Sequence, residues 1–77
     1  MADKKSLAQL AEGDRAVVTR IKLAGPMATR LADLGLIPGT QVACIQKSPA
    51  GNPVAYRIRG ALIALRLEDA AGVLVEA

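Results

Sequence analysis

The chain has 77 residues, which allows one domain, and at that length only about 60–65% of the unfolded surface can be buried. It is 52% hydrophobic but has no Trp, Phe or His, a single Tyr and a single Cys, which excludes an intramolecular disulfide, an imidazole base and a Cys/His metal cluster. Ten Lys and Arg against seven Asp and Glu give a net charge of +3 dispersed along the chain, which reads as mixed solvated surface, with a basic binding face as the alternative.

Residues 1–5 are polar and are expected to form a flexible N-terminus ahead of one domain over 6–77. Ser6 to Ala11 fits one helical turn with Ser6 as its N-cap, closed by Glu12-Gly13. Asp14 to Ile21 is β-branched, setting Ala16, Val18 and Ile21 against Arg15, Thr19 and Arg20; its imperfect alternation suggests a bulged, half-buried strand.

Gly25-Pro26 opens the one clear helix, with Pro26 at its first position. Met27, Leu31 and Leu34 recur at i, i+4 and i+7 as its apolar stripe, and Arg30 and Asp33 are spaced to pair weakly. Gly35 suits a left-handed C′ position, Pro38 prevents the helix from resuming, and Pro38-Gly39 fits the centre of a type II turn.

Thr40 to Gln46 is the next strand, carrying Val42, Cys44 and Ile45, and Ser48 to Pro53 is a turn-rich hairpin loop. Val54, Tyr56 and Ile58 alternate with Ala55, Arg57 and Arg59, the cleanest period-2 signal in the chain. Gly60 breaks that run, and Ala61 to Leu65 is its expected hairpin partner. Leu67 to Ala71 reads as a helical turn ended by Gly72, before a last strand, Val73-Leu74-Val75.

About five short strands with one inserted helix make a mainly β protein, and closure into a small barrel is the economical way to hide strand edges at this size. The longest apolar run, Ala61 to Leu65, is far short of the roughly 18–20 residues that span a membrane. No signal peptide is recognisable, so a soluble, cytoplasmic protein is expected.

No catalytic constellation can be assembled, and the chain is read as a non-enzyme without a cofactor. Cys44, between Ala43 and Ile45, reads as a small buried hydrophobe. Glu68-Asp69 are the only adjacent carboxylates, and neighbours on one helical turn diverge too far for a hard-cation site. Single-strand nucleic-acid binding needs aromatic platforms, and Tyr56 stands alone, so no nucleic-acid partner is expected.

What remains is an interaction module with aliphatic contacts. Strand parity turns Leu62 and Leu74 outward, with Arg57 and Arg59 at the rim and Arg30 on the helix, and these five are the candidate partner-binding residues. An unpaired barrel edge would also allow weak self-association.

With these residues in view, the chain resembles the FeoA family of bacterial ferrous iron transport from about Leu10 to Val75. The resemblance is carried by Glu12-Gly13, the run from Arg30 to Thr40, Pro49 to Pro53, Ile63 to Arg66, and Ala70 followed by Val73 and Val75. The family often has Asp where Asn52 stands and Arg where Thr29 stands. The resemblance implies an SH3-like β-barrel with an inserted helix. It also implies a partner, the cytoplasmic part of the FeoB membrane transporter. Similar domains are fused to that transporter or close iron-dependent repressors. With no helix-turn-helix in the chain, a free-standing accessory protein that docks without ferrying iron is expected. A basic nucleic-acid-binding module and a small metal sensor are the alternatives.

Overall fold

The computed structural model describes residues 5–76. Its strands are β1 (Lys5–Ser6), β2 (Arg15–Ile21), β3 (Gln41–Lys47), β4 (Val54–Ile58), β5 (Ala61–Leu65) and β6 (Val73–Glu76). The helices are α1 (Pro26–Asp33) and the short α2 (Leu67–Ala70), with a 3-10 turn at Leu7–Gln9. The strands form one antiparallel sheet in the order β1-β6-β2-β3-β4-β5.

Two expectations are corrected here. There are six strands, because Lys5 and Ser6 pair with Val75 and Leu74 as a two-residue β1. The rest of the expected flexible N-terminus, residues 1–4, lies outside the described residues. The sheet also stays open: β1 and β5 are its ends, and no pairing joins them.

Two bulges bend the sheet. The β2–β6 register slips between Val18 and Arg20, and the β3–β4 register slips between Cys44 and Gln46. Each extra residue increases local twist and coils the sheet around one core. At its centre lies Tyr56, fully buried, with Val42, Cys44, Val54 and Ile58 on the same inner face. The Tyr56 hydroxyl donates to the Leu7 carbonyl (3.1 Å), so the first turn of the chain is tied to the middle of β4. Gln9 steadies that turn by accepting the Ser6 N–H (2.8 Å).

The connection from α1 to β3 follows its sequence closely. Gly35, at φ 94°, is the C′ residue: its N–H bonds the Ala32 carbonyl (3.0 Å) and the Leu36 N–H bonds that of Leu31 (2.9 Å). That pair is a Schellman motif, with Leu31 and Leu36 buried together beneath it. Ile37 to Thr40 then form a turn around Pro38-Gly39, closed by the Thr40 N–H on the Ile37 carbonyl (3.0 Å), with Gly39 at φ 94°. The Thr40 hydroxyl donates to the Gly35 carbonyl (2.8 Å) and locks the two turns to each other.

The helix itself departs from expectation. Leu31 is buried and Met27 partly so, but Leu34 is 39% exposed, because it is the C-cap where the chain turns away. The Arg30–Asp33 pair is not formed; among the described residues the one ion pair is Arg66 with Glu68 at 3.9 Å, both exposed. Ile45, at the β3 bulge, is turned to solvent.

Candidate functional site

The alternation along β4 decides what the outer face of the sheet carries. Val54, Tyr56 and Ile58 point inward, so Arg57 points out, and register sets it beside Ala43 on β3 and Leu62 on β5. One strand further, Ala43 stands opposite Arg15. The outer row therefore reads Leu62, Arg57, Ala43, Arg15. A shallow groove of about 570 Å³ runs along this face, with Arg15, Arg57 and Arg59 on its walls and no carboxylate among its lining residues.

Arg59 holds its place at a conformational cost. Arg59-Gly60 is the two-residue link of the β4–β5 hairpin, and both have positive φ (50° and 82°), the signature of a type I′ turn. Asn or Gly is the usual occupant of the first position; an Arg there costs about 1 kcal/mol. Its side chain lies across Gly35, where a Cβ would collide with the Arg59 Cδ. The hairpin tip and the end of α1 are thus fitted to each other through one arginine.

A second, smaller groove of about 170 Å³ lies between α1 and β5. Met27, Leu31 and Leu34 form its helical wall, Ile63 and Leu65 its strand wall, and Arg30, Arg66 and Asp69 its polar rim. Leu62, 64% exposed, is the most exposed of the large hydrophobic side chains among the described residues.

The five sequence-derived positions separate on this surface. Arg57, Arg59 and Leu62 come together at the β4–β5 hairpin, and Arg30 stands on the rim of the α1–β5 groove. Leu74 does not join them. It faces away from Val73 and Val75 as its parity requires, but is half-buried between Ser6 of β1 and Arg20 of β2, with β2, β3 and β4 separating it from β5. Arg15 and Leu34 also line these grooves, although strand parity gives the first only as the polar side of β2 and helical spacing gives the second as core. Register across β2, β3 and β4 sets Arg15 in the same outer row as Arg57, with Ala43 between them, and no local pattern contains that information.

The interior offers little chemistry. Cys44 is fully buried, and burial pushes its thiol up, with Lys47 opposing and Glu12 and Asp14 adding to the shift. Tyr56 is pushed up to about 12, by burial first and by the neighbouring Cys44 second. Among the described residues no three His, Cys, Asp or Glu side chains converge as metal ligands, and no helix is long and apolar enough to cross a membrane.

The family model described as "FeoA domain" matches residues 5–77. A Porphyromonas gingivalis protein described as an Fe(2+) transport protein A/Fe(2+) transporter FeoB fusion is 37% identical over 70 residues, which is 91% of this chain and 8% of that protein. The solution structure of FeoA from Chlorobium tepidum has a TM-score of 0.88 at 34% identity, covering 92% of this chain and 68% of that one. FeoA of Stenotrophomonas maltophilia, solved with zinc and described as a procaryotic SH3 domain protein, has a TM-score of 0.81 at 30% identity, covering 91% and 87%. The open, bulged sheet is therefore an SH3-like fold.

Proposed function

The chain belongs to the FeoA family of ferrous iron transport, and from that premise we propose that it is a small cytoplasmic accessory protein that regulates the FeoB transporter by docking onto its cytoplasmic part. The observation that carries this reading is the Porphyromonas gingivalis relative, in which a similar domain and a ferrous iron transporter share one polypeptide. Covalent fusion keeps two modules at high effective concentration, an arrangement that suits domains working in contact. This chain spans 8% of that relative, so the docking itself is the inference.

Contact, not metal carriage or catalysis, is the mechanism the residues favour. The chain has no His, and its one thiol is buried with its pKa raised, which disfavours the thiolate that binds metals. The docking face is the β4–β5 hairpin: Leu62 supplies apolar contact, while Arg57 and Arg59 at its rim steer and orient an acidic partner. Arg30 and Leu74 lie outside that patch, Arg30 on the adjoining groove and Leu74 beyond β2.

Amide NMR of the labelled protein during titration with detergent-solubilised FeoB from the same source tests this. Shifts or broadening confined to Arg57, Arg59 and Leu62 are expected, and the double variant Arg57→Glu, Leu62→Glu should weaken binding by about tenfold or more. A folded transporter that leaves the spectrum unchanged overturns the reading. The three arginines of the larger groove also favour nucleic acid as a second reading. Loss of binding that steepens with salt would point to it, although the chain's only aromatic is buried and offers bases no stacking surface.

A further inference from the structure

The outer edge of β5 has hydrogen-bonding groups without partners. In a two-residue hairpin the closing pair, here Ile58 and Ala61, exchanges both backbone bonds, and bonded and non-bonded pairs then alternate. Tyr56–Ile63 and Val54–Leu65 are therefore bonded pairs, whereas Arg57–Leu62 and Ala55–Ala64 are not. The N–H and C=O of Leu62 and Ala64 consequently point away from β4. No strand lies on that side, and among the described residues no loop backbone or side chain bonds those groups. Sheet edges are ordinarily blunted by a charge, a proline or a bulge, yet β5 reads Ala-Leu-Ile-Ala-Leu with an unbroken register. The helix α1 faces this edge across the small groove instead of covering it.

We propose that the edge of β5 binds an extended segment of a partner protein by strand addition, in the groove between β5 and α1, and that the segment alternates acidic and apolar residues. Residues directly opposite one another on paired strands share a face. A guest residue opposite Ile63 thus points into the groove lined by Met27, Leu31 and Leu34, whose 170 Å³ fits one aliphatic side chain. Guest residues opposite Leu62 and Ala64 point to the outer face, beside the row that carries Arg57, with Arg59 at one end of β5 and Arg66 at the other. Among the described residues the only carboxylate lining the small groove is Asp69, and the Arg66–Glu68 pair at 3.9 Å is exposed and weak. Antiparallel pairing with a second copy is disfavoured, since it would bring the same arginines and a net charge of +3 together.

This groove deepens the docking reading above and rests on it for its place in the cell. A peptide probe nonetheless separates the two, because the transporter can fail to bind while the edge still pairs, and the reverse. The labelled protein is titrated with an end-blocked octapeptide alternating valine and glutamate, and with its valine–lysine counterpart. Shifts along β5 and α1 are expected with the glutamate peptide, together with hydrogen exchange at the Leu62 and Ala64 amides slowed at least tenfold. The lysine peptide should bind at least tenfold more weakly. Ala64→Pro removes one outward N–H and no inward one, a position where an edge strand accepts proline, and should also weaken binding at least tenfold. No shifts up to millimolar glutamate peptide, equal binding of the lysine peptide, or full binding to a folded Ala64→Pro protein overturns the proposal. If that variant does not fold, the wild-type exchange pattern decides: binding that leaves the Leu62 and Ala64 amides fast refutes strand addition.

Discussion

Replacing Tyr56 with Phe removes the hydroxyl from the chain's single aromatic side chain, which is fully buried, and the consequence reverses with pH. At neutral pH the variant loses the bond from the phenol to the Leu7 carbonyl and leaves that acceptor unpaired, costing about 1–1.5 kcal/mol. In the wild type the phenol is pushed up from 10.0 to about 12, chiefly by burial, so the folded state holds its proton where the unfolded chain has released it. The sign follows: stability is complete below about pH 10 and is lost as the pH rises toward 12. Each pH unit in that window is worth about 1.4 kcal/mol, a total loss of about 2.7 kcal/mol. Phe has nothing to titrate. The two stability curves should therefore cross near about pH 11, above which Tyr56→Phe is the more stable protein. Urea unfolding followed by far-ultraviolet circular dichroism at steps from pH 7 to 12 measures this directly. Curves that coincide at neutral pH would refute the hydrogen bond, and curves that stay parallel up to pH 12 would refute the burial argument.

Two further outcomes follow from other residues. Cys44, fully buried with its thiol pKa raised, should react with a thiol reagent at pH 8 at least a hundredfold more slowly in the native protein than in urea; comparable rates would mean that the β3–β4 core opens readily. Arg59→Asn relieves a positive φ in a type I′ turn and should stabilise the fold by about 0.5–1 kcal/mol, read as a raised urea midpoint, while weakening transporter docking. A variant that is less stable would show instead that the arginine's packing over Gly35 outweighs the backbone strain.

What could be read from the residues alone was local and close in sequence. Gly35, Pro38 and Gly39 dictate the end of α1 and the turn into β3 because each acts through its own φ, and the Schellman bonds and the Thr40 turn occur where those residues stand. Period-2 alternation fixed the inner face of β4 for the same reason, and the irregular pattern of β2 marked its bulge. Val73 and Val75 are buried as parity requires. Tertiary structure decided what depends on residues far apart in the chain. Lys5 and Ser6 become a strand only because Val75 and Leu74 present an open ladder to them, and that same β1 half-buries Leu74. Leu34 is exposed because the chain turns at its position, although its spacing matches the apolar stripe. Arg15 falls in line with Arg57, with Ala43 between them, only through the registers of β2 on β3 and β3 on β4, and the edge of β5 stays free because six strands coil without closing. Backbone preference is written residue by residue, whereas neighbours across a sheet are set by pairing, which no single segment specifies.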